Sequence, residues 1–266
     1  MPIWTLIGLA KGSATTAWPA HDGDDGQTGV SGMPRITGER CVVDCRACAE
    51  VCPTRAIGLD AAGNLQTLDY GRCIACQLCV QACPSGRLQA SNDWACGVRD
   101  RGELHWSDAT TSPAAEQLRK HIERSFKCSL HIRHVDAGSC NGCESELQAL
   151  NNPYYNLHRL GIFFTASPRF ADLLLVTGPV THAMREPLLA TYEAMAEPRL
   201  VMATGTCAVS GGIAAGGYAC GSGLDGVLPV DLWLPGCPPN PAAIIEGLLV
   251  LLDRAKPRLR GGRFDE

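Results

Sequence analysis

No apolar run in this sequence reaches the roughly 18–20 residues that a membrane-spanning helix needs. The longest candidates, Asp172–Val176 with its flanks and Ile244–Leu252, are short. A dominant basic surface is also missing. The formal net charge is −4, which argues against nucleic acid as a partner. The opening MPIWTLIGLAKGS is apolar but has no positive segment before it, so it makes a poor secretory leader. There is no twin-arginine pair. Neither a G-x-G-x-x-G fingerprint nor a Walker loop is present, which removes the usual grounds for a phosphate cradle. These absences point to a cytoplasmic protein in a reducing compartment, meeting a membrane only through partner subunits.

Cysteine, by contrast, is abundant. Fifteen cysteines are too many to be structural thiols alone. In a small secreted domain they would suggest disulfides, but here they fall in clustered groups that suit metal. Arg72–Pro84 reads RCIACQLCVQACP, placing Cys73, Cys76, Cys79 and Cys83 at C-x-x-C-x-x-C-x-x-x-C-P spacing. A 4Fe–4S cluster needs four thiolates at the corners of a cube. One tight loop supplies three, and the fourth Cys, followed by Pro, ligates a different cluster. One run therefore predicts another, and Cys41, Cys45, Cys48 and Cys52 with Pro53 provide it. The expected sets are Cys41, Cys45, Cys48 and Cys83 for one cluster, and Cys73, Cys76, Cys79 and Cys52 for the other. A zinc site normally pairs two C-x-x-C groups and has no use for three thiols per run plus Cys-Pro. The first run departs from the pattern, with three residues between Cys41 and Cys45. Either the extra residue bulges out and Cys41 ligates, which the correct spacing of the other three thiols favours, or that cluster is incomplete.

At 266 residues the chain has room for a small domain and a larger one with a proper core. Residues 1–34 read as a docking segment and linker. A short helix within 3–18 carries Ile3, Leu6, Ile7 and Ala10 on one face, and the acidic, Gly-rich His21–Gly32 follows. Residues 35–92 form the dicluster domain, an internal repeat of Cys run, Pro and small strand pair. The strand pieces Ala56–Leu59 and Leu65–Leu68 flank a turn at 62–64. So little apolar side chain is present there that the domain needs its metal to fold. Residues 93–127 form a connector with a helix over about 113–126, capped by Ser112 with Pro113 at its first position.

From Cys128 the pattern becomes α/β, a domain over 128–253 ahead of a basic tail at 254–266. Strands are expected at His131–Val135, Asp172–Thr177, Arg199–Ala203 and Asp231–Leu234. Helices are expected at Glu144–Leu150, 182–195 and 241–253. This alternation predicts a doubly wound parallel sheet, flavodoxin-like in class. Cys140 and Cys143, Cys207 and Cys237 each follow a strand, where open α/β sheets bind ligands, so the four would converge on a further cluster. Cys96, Cys128 and Cys220 show no partner pattern and read as small buried hydrophobes. Glu144 and Glu146 fit a helix first turn favoured by the dipole, with proton handling beside a redox centre as the functional alternative. Packing is the default for His131 and His134. A solvated end is the default for Arg254, Lys256, Arg258, Arg260 and Arg263, with docking to an acidic partner as the alternative.

The stretches SCNGCESELQAL (139–150), SPRFADLLLVTGPVTHAMR (167–185), TGTCAVSGG (204–212) and PGCPPNPAAI (235–244) closely resemble the small subunit of group 4, energy-converting NiFe hydrogenases of the formate hydrogenlyase type. That family also includes the terminal-cluster subunit of NADH:quinone oxidoreductase, in which the first two ligands are adjacent cysteines. Here Asn141-Gly142 separates Cys140 from Cys143, the hydrogenase form. The N-terminal half, with Lys11–Pro19, is similar to the two-cluster ferredoxin subunit of the same complexes. The fusion departs from the usual separate chains. The resemblance implies that Cys140, Cys143, Cys207 and Cys237 hold a proximal cluster beside a NiFe site in a partner large subunit. It also implies three 4Fe–4S clusters in all, a membrane-embedded partner, and a donor module such as a formate or carbon monoxide dehydrogenase. The chain would do electron transfer and no bond chemistry, with Glu146 as a candidate proton relay. The alternatives are delivery of electrons to quinone, and a zinc-stabilised interaction module.

Overall fold

The computed structural model describes residues 3–12, 15–19, 25–107, 129–260 and 263–264. The helix expected over 113–126, and Cys128, lie outside the described residues. Helix α1 spans Ile3–Lys11, shorter than the stretch read as helical, and Ile3, Leu6, Ile7 and Leu9 on it are exposed.

The cysteine-rich half is built from short pieces. Strand β1 (Arg35–Ile36) pairs antiparallel with β4 (Leu88–Gln89), and β2 (Ile57–Leu59) with β3 (Leu65–Asp69). Each Cys run closes in about one turn of helix, α2 at Ala47–Glu50 and α3 at Leu78–Gln81. The repeat seen in the sequence is thus a real duplication of loop, turn and strand. One strand had no sequence signal. Strand β5 (His105–Ser107), inside the stretch read as connector, adds to β3 with Trp106 opposite Leu68. It buries Trp106 and closes a three-stranded sheet.

Asp69, at the end of β3, fixes the exit toward the second run. Its carboxylate accepts two hydrogen bonds from Arg101, at 3.0 and 2.9 Å, and one from the Gly71 amide at 2.8 Å. A planar guanidinium matches a carboxylate in this two-pronged way, and lysine could not replace it.

The second half is a five-stranded parallel sheet. Its strands are β6 (Leu130–Asp136), β7 (Ile162–Phe164), β8 (Leu173–Thr177), β9 (Leu200–Thr204) and β10 (Leu232–Leu234). Their order is β10-β9-β8-β6-β7. Numbered within the sheet this is 2-1-3-4-5, the flavodoxin order. Strands β8, β9 and β10 are buried at every residue, as their unbroken apolar runs require when both faces are covered. Alternate side chains go opposite ways. Leu173, Leu175, Met202 and Leu234 meet helices α4 (Gly142–Ala149) and α7 (Pro241–Leu251). Leu174, Val176, Val201 and Trp233 share a second core with Leu188 of α5 (His182–Glu193) and with Ala208 and Val209 of α6 (Thr206–Ser210). Helix α7 starts as its sequence dictates: Asn240 accepts from the Ala243 amide at 2.7 Å, and Pro241 takes the first position.

The second core is continuous with Met33, Ala56, Leu68, Tyr70 and Leu88 of the cysteine-rich half. A backbone bridge adds to this: the Val98 amide donates to Trp233 O at 3.0 Å, and the Trp233 amide to Val98 O at 2.7 Å. The two halves therefore pack as one body. Two basic residues after α7 make contacts with the body, while Arg254 and Lys256 stay exposed as a solvated stretch would. Arg254 donates to Leu160 O at 2.8 Å, and Arg258 lies 3.7 Å from Asp93. Among the described residues no helix is long and apolar enough to cross a membrane.

Candidate metal centres

The first run wraps around Cys48. Burial raises the Cys48 pKa, and the thiols of Cys83, Cys45 and Cys41 raise it further, so all four stand near one another. Cys41 is in the group despite its odd spacing. A turn closes across the extra residue, with the Cys45 amide donating to Val42 O at 3.2 Å, and Val42 and Val43 project outward at 50% and 81% exposure. Asp44, just before Cys45, has a left-handed φ of 57°, and Ala75, just before Cys76, has one of 54°. The two loops share this left-handed residue but differ two positions later, where Gln77 is left-handed at φ 61° and Arg46 is not, at φ −120°.

The second run gathers Cys73, Cys76 and Cys79 with Cys52. All four line one cavity, with Ile57, Leu68 and Ile74 among its walls. Burial pushes the Cys73 thiol up to about 12 and Cys79 up to about 11, with neighbouring thiols adding to each. Backbone amides reach the sulfurs: Ala56 N–H to Cys52 at 3.3 Å, Leu65 to Cys41 at 3.5 Å, and Ala75 to Cys73 at 3.4 Å.

Two contacts escaped sequence reasoning. Thr54 Oγ1 lies 3.7 Å from Cys52 Sγ, and Ser85 Oγ lies 3.6 Å from Cys83 Sγ. Each hydroxyl sits two residues past a Cys-Pro cysteine, so the signal was a repeated C-P-[ST] in the two halves. Burial raises the Cys83 thiol, but hydrogen bonds from Leu88, Ser85 and Arg87 outweigh it and lower its pKa overall.

The third group lies at the carboxyl ends of the parallel strands. Cys140 and Cys143 follow β6, Cys207 follows β9 and Cys237 follows β10. Burial raises the Cys143 pKa, and the charges of Glu144, Cys207, Cys237 and Cys140 add to it. Cys207 is pushed up to about 11 by burial and by Cys237 and Cys140. The group is open on one side, since Cys140 and Cys237 are exposed while Cys143 is buried. Glycine is required at 205, where φ is +89° and an added Cβ would sit 2.6 Å from Cys143 Sγ.

Glu144 does more than meet a helix dipole. It is 9% exposed, accepts from Ser139 Oγ at 2.6 Å and from the Thr177 hydroxyl, and His134 Nε2 lies 2.9 Å from that same hydroxyl. This network ties the loop carrying Cys140 to the ends of β6 and β8. Burial raises the Glu146 pKa, but Glu146 is only half-buried. His131 lies 3.4 Å from Asp172, at the start of its strand and away from the cysteines. Cys96 is buried beside Asp93, with its pKa raised mainly by burial. Cys220 donates to Ala214 O at 2.9 Å.

The donor sets fit an iron–sulfur cube better than a single ion. In the two Cys runs, three thiols per run plus Cys-Pro is a pattern that a tetrahedral zinc ion has no use for, and backbone amides reach Cys41, Cys52 and Cys73 as they would reach cluster-bound sulfurs.

Residues 140–251 match the family of the 20 kDa subunit of NADH ubiquinone oxidoreductase. A probable membrane-bound hydrogenase subunit of Pyrococcus furiosus is 37% identical over 155 residues, 57% of this chain and 93% of that protein. The chain belongs to this family. Residues 35–87 match the 4Fe-4S dicluster domain, so the chain is a fusion of the two. An uncharacterised protein of Methanocaldococcus jannaschii is 47% identical over 129 residues, 48% of this chain and 86% of that one. Formate hydrogenlyase subunit 7 of Escherichia coli is 38% identical over 160 residues, 59% of this chain, and the chain spans 63% of that subunit.

Proposed function

We propose that the chain is an electron-transfer subunit of a membrane-associated NiFe hydrogenase complex of the formate hydrogenlyase type. It carries three 4Fe–4S clusters. Cys41, Cys45, Cys48 and Cys83 hold one, Cys73, Cys76, Cys79 and Cys52 the next, and Cys140, Cys143, Cys207 and Cys237 the last. The observation that carries this reading is the grouping of twelve thiols into three sets, the last at the open end of a parallel sheet. A bound cluster supplies one-electron transfer at a potential set by its thiolates, by hydrogen bonds to sulfur and by burial.

The protein's own part is to bind and to tune. Thiols whose pKa is raised by burial must lose their protons on loading, so assembly releases protons and is favoured by rising pH. The Ala56, Leu65 and Ala75 amides and the Thr54 and Ser85 hydroxyls offer positive dipoles to sulfur, which favours the more reduced state. The exposed edge at Cys140 and Cys237, with exposed Ile213 and Tyr218 following Cys207 in the chain, suits a large subunit that bears nickel. The Cys41 set, rimmed by Val42 and Val43, suits a donor module such as a formate or carbon monoxide dehydrogenase. The chain sits on the cytoplasmic face of the membrane through a membrane-embedded partner. The Cys140-x-x-Cys143 spacing favours this over delivery to quinone.

Iron analysis of anaerobically purified protein tests the reading. We expect about twelve iron atoms per chain and a low-temperature EPR signal after dithionite reduction. A colourless protein that holds zinc would refute it.

A further inference from the structure

Thr206 occupies a place that the proposed relay alone does not explain. It is 1% exposed and lies between the two halves of the chain. Its hydroxyl donates to the backbone oxygen of Cys73 at 2.9 Å, across 133 positions of sequence. Thr206 Oγ1 itself accepts from the Gly236 amide at 3.1 Å. The Thr206 amide in turn donates to Gly236 O at 2.8 Å, so the loops after β9 and β10 grip each other here. One hydroxyl thus touches Cys73 of the second ferredoxin set, belongs to the residue before Cys207, and holds the residue before Cys237. With one proton to give and one bond accepted, the hydroxyl is oriented from both sides.

We infer that Thr206 is a positioning residue for electron transfer between the Cys73 set and the Cys140 set. The inference rests on the reading that both sets hold 4Fe–4S clusters. The hydroxyl fixes the separation of the two ligand loops. It also completes a bonded path from Cys73 through its carbonyl and the Thr206 side chain to Cys207. An electron crossing this junction oxidises one cluster by one equivalent and reduces the other by one. No bond forms or breaks, and the Thr206 proton stays on its oxygen. Packing alone does not account for the arrangement. Valine would fill the same volume, but it would leave a buried carbonyl and a buried amide without partners.

The test compares T206V with T206S in the full chain purified anaerobically with its iron. T204V serves as a control, since the Thr204 hydroxyl two residues away is buried with no hydrogen-bond partner among the described residues. Three quantities are read: iron per chain, amide exchange of the peptide spanning Gly236 by mass spectrometry, and the rate of electron equilibration after pulsed reduction. In T206V the Gly236 amide exchanges about tenfold faster, the change that loss of one buried hydrogen bond produces. Intercluster equilibration slows with it, and the magnetic interaction between the two reduced centres weakens. T206S and T204V follow the parent protein. If T206V matches the parent in both exchange and equilibration, the proposal is overturned. It is equally overturned if T206S shares the defect of T206V, because the methyl group would then be the cause. Parent protein lacking the third cluster's iron would refute the cluster reading instead, and the Gly236 exchange would still report on the hydroxyl.

Discussion

Replacing Gly205 by alanine should empty the third metal centre and leave the other two intact. Gly205 has φ +89° and ψ 151°, a region essentially closed to side-chain-bearing residues. Holding alanine there costs about 1–3 kcal/mol of backbone strain. The new Cβ would also lie 2.6 Å from Cys143 Sγ, with Gly236 O at 3.6 Å and Pro239 Cδ at 3.9 Å. Ordinary contact begins near 3.5 Å, so the thiol must retreat by about 1 Å. In a metal-free protein a thiol can swing aside at little cost. In a loaded one it cannot, because metal–ligand distances tolerate only about 0.2 Å. The third set then loses one of its four thiolates. Iron should fall from about twelve atoms per chain toward about eight, with the dicluster EPR signals preserved. The strain alone should lower Tm by about 2–12 °C, at about 2–4 °C per kcal/mol for a chain of this size. G205A protein with full iron and the parent's spectrum would refute the reasoning.

The remaining predictions concern support for the sites. Removing the Arg101 fork (R101L) leaves Asp69, whose side chain is only 10% exposed, with a reduced set of partners. We expect a loss of about 2 kcal/mol, less than for a fully buried pair because Arg101 is partly exposed and His105 and Arg72 remain. The double variant D69N/R101L should recover part of that loss in denaturant melts, and an R101L protein as stable as the parent would disprove the role. Burial raises the Asp231 pKa against the opposing pull of the Val201 amide and Arg99. A carboxyl with a raised folded-state pKa contributes stability below its unfolded value near 3.9, which is lost as pH rises through the folded value. D231N keeps an acceptor for the Val201 amide, now 2.8 Å away, and carries no charge. Its Tm should therefore exceed the parent's at neutral pH, with the gap closing toward about pH 4. A gap that widens on acidification would show that burial does not dominate there.

Local features of this protein were legible in its sequence, because the chemistry they serve is local. Three thiols on one loop need fixed spacings, so both Cys runs declared themselves, and Cys-Pro marked the cysteines that cross to the other set. Buried parallel strands need unbroken apolar runs, so β8, β9 and β10 were visible, and with β9 and β10 the strand ends that carry Cys207 and Cys237. Strand β7 has three residues and β5 is a lone addition to a hairpin, too little pattern to register in either case. Spacing favoured Cys41 as a ligand but did not show how the extra residue is accommodated, which only the folded loop does. Glu144 looked like a dipole partner until the ends of β6 and β8 brought Ser139, His134 and Thr177 around it. Above all, Thr206 lay in the TGTCAVSGG stretch with nothing there to signal its own role. Its meaning lies in a carbonyl 133 positions away, and contact at that distance comes from the core shared by the two halves. Spacing along the chain decided which thiols can share a centre. Only tertiary packing decided how two centres face each other, because hydrogen bonds between distant segments leave no periodicity in the sequence.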